Sequence, residues 1–369
     1  MSTRIVPIGM FLIASALSHG QAAEWQRDPT PLVKNFNNMY QPCVVEVGGE
    51  WRYRMWFFGW AADYSNTKMP GCDAIFLARS KDLRRWEVYA GEQSGQRRWD
   101  TTMNPRLWVG VVVAGDRWYD CWHNGDPSVV LRDGRYYMAY SATSNPHMPM
   151  VPGYPGQMVQ CIMGATSDDG IHWRKTSAPL LIRAGDRKNP KPEPERIGDF
   201  HRPCLRWEGG RWRLWFDYWI PAKGCCLGYA EQSGEFTDPA GFHVQHDVRA
   251  PLLEEWPNPE VVKIGSTYHL FGDPPGYRTD PAAPKAMTGW TRRQLREAVS
   301  SDGIHWQRLP FIAPDPDTDA CHVPQALVTE TEGRKWLYLF YSTQVGHSRH
   351  DGKYYHEYDR IRAMRRPLE

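Results

Sequence analysis

Residues able to do acid–base chemistry recur at fixed offsets from five prolines, Pro42, Pro127, Pro203, Pro259 and Pro324. One residue before each proline stand Gln41, Asp126, Arg202, Asn258 and Val323. Two before stand Tyr40, Gly125, His201, Pro257 and His322, and four before stand Asn38, His123, Asp199, Glu255 and Ala320. Three consecutive repeats thus bring one carboxylate each: Asp126, Asp199 and Glu255. Carboxylates that converge in a cleft repel one another and raise a pKa, which is the arrangement acid–base work needs. Glu254 and Glu260 compete with Glu255 for the third place. Beside them, Asn38, Gln41, His123, His201, Arg202, Trp256 and Asn258 are candidates to hold a ligand, Arg202 through paired bonds to a carboxylate or hydroxyls.

The offsets matter because each proline introduces the same unit. Gly125 to Leu131, the turn Asp133-Gly134 and the return Tyr136 to Tyr140 read as a hairpin, since Asp-Gly supplies the positive φ that such turns require. The plan repeats at Gly48-Gly49, Gly209-Gly210, Gly265-Ser266 and Glu332-Gly333, each followed by an aromatic strand. A third strand then leads into a Ser/Asp/Gly/Trp turn at Ser80 to Trp86, Ser167 to Trp173 and Ser300 to Trp306. Side chains of Ser and Asp cap their own backbone in such turns, so Asp169, His172, Asp302 and His305 read as structural. This turn resembles the Asp box of sialidases, one residue shorter.

Five such units predict an all-β, five-bladed β-propeller of four-stranded antiparallel blades around a central channel, with residues 24–369 as one domain. Residues 24–39 are expected to supply a strand to the last blade. Alternation of antiparallel strands puts the hairpin turns on one face. The strand starts and the loops 61–71, 143–159, 220–224 and 274–291 fall on the other, where a pocket is expected.

Composition narrows the partners. With 44 basic and 42 acidic residues the net charge is +2, so nothing points to nucleic acid or an anionic membrane surface. Eighteen Trp and eighteen Tyr suit blade packing, and a minority on loops suit stacking on sugar faces. Residues 1–23 read as a cleaved signal peptide, with Arg4, an apolar run from Ile5 to Leu17 too short to span a bilayer, and small residues before Glu24. A periplasmic or secreted location follows as an expectation, and eight cysteines fit an oxidising compartment. The absence of a Cys-x-x-Cys pair argues against a zinc site.

These features together resemble the five-bladed propeller glycoside hydrolases, a superfamily that includes families 32, 43, 62, 68, 117 and 130. Gly125-Asp126-Pro127-Ser128-Val129-Val130 with Asp133-Gly134-Arg135-Tyr136-Tyr137 is similar to the pattern of families 43 and 32. The resemblance implies an exported hydrolase acting on oligosaccharide or polysaccharide chain ends, with a carbohydrate substrate. It implies Asp126 as base or nucleophile, Asp199 as tuning carboxylate and Glu255, within Glu255-Trp256-Pro257, as acid. His322 resembles the fifth-blade histidine that family 43 places near a cation, so no cofactor is required but a structural calcium in the channel is an expectation. Those families put the first Asp in blade one, where this chain has Gln41-Pro42, so the frame is shifted by one blade. Two other readings stand beside it: a polysaccharide lyase using His201, His322 and Tyr40, and a sugar-binding propeller without turnover.

Overall fold

Apolar residues either side of Asp133-Gly134 fold as the expected hairpin, His123–Arg132 against Arg135–Thr143, with Tyr136 opposite Leu131 and Met138 opposite Val129. Gln160–Ser167 and Arg174–Lys175 complete the second blade. The computed structural model describes residues 24–36, 39–60, 73–101, 110–117, 119–144, 159–183, 197–238, 241–275, 293–313, 320–350 and 353–368. Every regular element among them is a strand, and the strands form five antiparallel sheets that make a five-bladed propeller. The first 23 residues, Asn38 and most of three of the four long loops lie outside the described residues.

The third blade comprises His201–Glu208, Arg211–Ile220, Gly224–Gln232 and His243–Val244, and the fourth Glu260–Ile264, Thr267–Gly272, Arg296–Ser300 and Gln307–Phe311. Blade one adds two outer pieces, Gln96–Asp100 and Val111–Val113, to Tyr40–Glu46, Tyr53–Trp60, Asp73–Ser80 and Trp86–Gln93. In the fifth blade Ala320–Thr331, Arg334–His350 and Lys353–Pro367 are followed by two N-terminal strands. Gln26 pairs with Arg365 and Val33 with Ile361, so the start of the chain closes the ring at its end, as expected.

The repeat prolines do not open the inner strands. In four blades Pro and the residue before it face a single residue of the neighbouring strand, which is a bulge. Proline, lacking an N–H, costs no ladder bond at such a position. Gln41, Asp126, Arg202, Asn258 and Val323 all carry positive φ, from 48° to 54°. For residues with a Cβ that conformation costs on the order of 1–3 kcal/mol each. The chain meets this strain in every blade, whatever the side chain, and four of the five residues, Asp126, Arg202, Asn258 and Val323, line the central cavity.

Two rings of hydrogen bonds hold those bulges in place. The residue after each proline accepts the N–H of the next inner strand: Cys43 from Val129 at 3.2 Å, Ser128 from Leu205 at 2.8 Å, Cys204 from Val261 at 3.2 Å, Glu260 from Ala326 at 3.1 Å, and Gln325 from Val44 at 3.1 Å. The circle is complete. Burial pushes the Cys43 thiol up to about 12, so it stays a neutral acceptor. A second, partial ring lies nearer the mouth, where Ser141, Asp217 and Asp273 accept the N–H of Arg202, Asn258 and Val323.

On the opposite face the Ser/Asp turns lock neighbouring blades. Ser167 Oγ accepts from Gly170 N at 2.8 Å, Asp169 caps Ile171 and His172, and the Trp56 indole of blade one donates to the Gly170 carbonyl at 3.0 Å. Trp215 donates likewise to Gly303 at 2.9 Å. Trp56, Tyr136, Met138 and Ile171 belong to one core between blades one and two.

Candidate functional site

All five blades line one cavity of about 150 Å³: Tyr40, Phe58 and Asp73 from the first, His123 and Asp126 from the second, His201 and Arg202 from the third, Asn258 and Arg293 from the fourth, and Val323 from the fifth. Of the residues expected from the sequence, Asp126, His123, His201, Arg202 and Asn258 meet here. Gln41 is buried in the blade-one bulge without lining the cavity, and Trp256 is fully buried in the core around Trp215 and Leu270. His322 is fully buried, its ring 5.6 Å from that of Tyr40.

The other two expected carboxylates stand outside the lining. Asp199 accepts from Gln160 N at 2.9 Å and lies 3.6 Å from Arg183 Nε. Glu255 is exposed, with its N–H bonded to the Lys223 carbonyl beside the blade-three loop and a φ of 48°. Glu260 is held by Arg206 inside the channel wall and belongs to the ring described above. Glu254 is exposed and paired with Lys223 at 2.9 Å.

Three carboxylates that the sequence reading passed over shape the cavity instead. Asp73 Oδ2 is 2.6 Å from His123 Nδ1. Asp217 holds the Arg202 guanidinium at 3.1 Å and the Asn258 N–H at 2.8 Å. Asp273 accepts from Asn258 Nδ2 at 2.7 Å and from Arg293 Nη2 at 2.8 Å. A signal for two of them exists: Asp217 and Asp273 both stand five residues after the second-strand aromatics Trp212 and Tyr268. That position lies beside the bulge of the following blade, so a carboxylate there reaches its N–H.

Charge in the cavity follows from these contacts. Burial works to raise the Asp126 carboxyl, but the positive charges of His123 and Arg202 beside it hold it well below its ordinary range. His123 is lowered by burial and raised more by Asp126 and Asp73, reaching about 9. Burial takes His201 down to about 3, with Arg202 and His123 opposing its protonation and only Asp126 favouring it. Burial raises Asp217 and Asp273, with Arg202 and Arg293 respectively as the leading offsets. Around neutrality the cavity therefore presents ionised Asp126 between a protonated His123 and a neutral His201.

Close approach of the backbone makes this packing possible. A Cβ on Gly125 would lie 2.5 Å from the His123 ring and 3.2 Å from Phe58, so only glycine fits between His123 and Asp126. Asp126 Oδ2 is 3.8 Å from His123 Nε2 and 3.7 Å from His201 Nε2. The two imidazoles lie 5.7 Å apart between centroids, and Phe58 packs edge-on to His123 at 5.3 Å.

No protein-family model matches this sequence, and no curated protein is significantly similar to it. Solved structures are similar. A thermostable family-43 glycoside hydrolase superposes with a TM-score of 0.56 at 13% identity, over 93% of either chain. A family 117 glycoside hydrolase of Zobellia galactanivorans gives 0.58 at 12%, over 93% of this chain and 90% of that one. The catalytic domain of the Coprinopsis cinerea family 62 α-L-arabinofuranosidase gives 0.55 at 11%, over 94% and 97%. At these identities the likeness is one of fold.

Proposed function

We propose that this chain is a glycoside hydrolase whose reaction centre is the five-blade cavity around Asp126. One observation carries the reading: a buried carboxylate, kept ionised by His123 and Arg202, sits in a strained bulge at the mouth of a fold whose solved neighbours are glycoside hydrolases. Asp126 is the carboxylate acting at the anomeric centre, on the sugar carbon or on a water beside it. Arg202, Asn258 and Arg293, fixed from behind by Asp217 and Asp273, are the groups that hold sugar hydroxyls. Tyr40 and Phe58 offer an apolar wall for a ring face. Glu255, exposed beside the blade-three loop, is assigned as the proton donor to the leaving oxygen. A small cavity suits action at chain ends, and residues 1–23 suit export.

The test is a screen of the protein lacking residues 1–23 against aryl glycosides and plant or algal oligosaccharides. Asp126→Asn is expected to lower kcat by at least about a thousandfold, as loss of a group acting in the transition state does. Glu255→Gln is expected to be slow on alkyl glycosides and near wild type on dinitrophenyl glycosides, whose leaving oxygen needs no proton. Turnover untouched by Asp126→Asn would refute the assignment. Saturable sugar binding without turnover by any substrate would favour the binding-module reading.

A further inference from the structure

We propose that His123, Asp126 and His201 are the protein ligands of a divalent transition-metal ion of the zinc class, bound across blades two and three. The three donor atoms lie within 4.8 Å of one another. Asp126 Oδ2 stands 3.8 and 3.7 Å from the two Nε2 atoms. Bond lengths of about 2.0–2.2 Å to zinc place tetrahedral ligands roughly 3.3–3.5 Å apart, so the two carboxylate–imidazole spacings need to close by only a few tenths of an ångström and the imidazole pair, within 4.8 Å, by up to roughly 1.4 Å.

A second observation is independent of that spacing. His123 Nε2, Asp126 Oδ2 and His201 Nε2 are all buried polar atoms with no hydrogen-bond partner. Leaving one such atom unsatisfied costs on the order of 1–3 kcal/mol, and here three are aimed at one point. The third observation lies behind the site. Asp73 Oδ2 takes the His123 Nδ1–H at 2.6 Å, which leaves Nε2 facing forward as the nitrogen whose proton a metal ion would displace, and carboxylates orient metal-binding imidazoles in this way. The local chain completes the picture. The bulge at Asp126 and the bare Gly125 are what let residues three apart point at the same spot.

Two imidazole nitrogens and one carboxylate select zinc and its transition-metal neighbours over calcium or magnesium, which prefer oxygen cages. His322, where the sequence reading expected a cation, is not among these ligands. Three protein ligands leave a position for water or for a hydroxyl of a molecule held by Arg202 and Asn258. Metal ligation and direct action on the sugar are alternative uses of Asp126, so the site stands apart from the hydrolase reading, and a propeller that only binds sugar could use it equally. Paired cysteines have no part in it.

The experiment is calorimetric titration of the chelator-stripped protein with zinc, with calcium in parallel, and cobalt(II) absorption to report the ligand set. One equivalent of zinc is expected, with visible cobalt bands of a four- or five-coordinate nitrogen–oxygen site. Asp73→Asn is expected to weaken zinc about 10–100-fold while leaving the three ligands in place. His201→Ala should abolish the cobalt bands, with His201→Gln as a second variant and circular dichroism confirming that each is folded. No uptake by folded wild type would overturn the proposal and leave a bridging water as the occupant. So would zinc affinity unchanged by every variant, or calcium bound as tightly as zinc. Because the readout is binding, a protein that takes zinc without cutting any glycoside sinks only the hydrolase reading.

Discussion

Replacing Ser128 with Ala removes one of the five inner-strand acceptors and nothing else. Its hydroxyl, 4% exposed, accepts from the N–H of Leu205, which is fully buried, at 2.8 Å. The alanine variant leaves that N–H without an acceptor, and burying an unsatisfied donor costs about 1–3 kcal/mol. A midpoint of about 2 kcal/mol corresponds to roughly a 3 °C fall in Tm for a domain of about 350 residues. The ring supplies its own control. Blades one and three use Cys43 and Cys204 at the equivalent position, each accepting at 3.2 Å. Ser128→Cys should therefore retain an acceptor and lose less than half of what Ser128→Ala loses. Denaturant unfolding of the three proteins, with calorimetry for Tm, measures both differences. A Ser128→Ala loss under about 0.5 kcal/mol, or a cysteine variant no better than alanine, would refute the claim that these side chains tie the blades together.

Two further outcomes follow from the geometry. Gly125→Ala places a methyl against the His123 ring and Phe58, so it should displace His123 and weaken zinc binding at least tenfold, while Gly234→Ala, with open space around it, should not; titration of both variants checks this. Glu297, buried against His269 at 2.6 Å and bidentate to Arg366, is raised by burial but lowered more by those two partners, so its folded pKa lies below the unfolded one. Its contribution is present above the unfolded value near 4.5 and is lost as pH falls through the folded value. Glu297→Gln should accordingly cost more stability at pH 7 than at pH 3, as read from denaturation midpoints at the two pH values.

The periodic parts of this molecule were readable because periodicity is what a propeller writes into its chain. Proline, turn pair and aromatic recur with the blade, and Asp133-Gly134 or Gly209-Gly210 can satisfy few geometries other than a hairpin turn. The closure by residues 24–36 also followed, since an incomplete last blade has an edge that needs a partner. The bulge was hidden because side chains as unlike as Val323, Arg202 and Asp126 all adopt it, so residue type carries no trace of the φ. Asp73 was invisible for another reason. It belongs to the third strand of blade one and reaches His123 across fifty residues, a contact no offset from a proline encodes. Trp256 read as a candidate to hold a ligand from its place beside Glu255, yet with Glu255 at a φ of 48° the Glu stays exposed while Trp256 turns into the core.

The pairing of Gln26 with Arg365 has a consequence for how the protein is made. Four blades are built from contiguous stretches and can form as their own hairpins emerge. The fifth cannot, because its outer strands precede the other four blades in the chain and its inner ones follow them. Until residue 367 is free, residues 24–36 must wait unpaired and the nascent ring carries two open flanks that invite pairing with other chains. A late, slow joining step is thus written into the topology, and the order of the strands makes residues 24–36 the last of the five blades' strands to find their place.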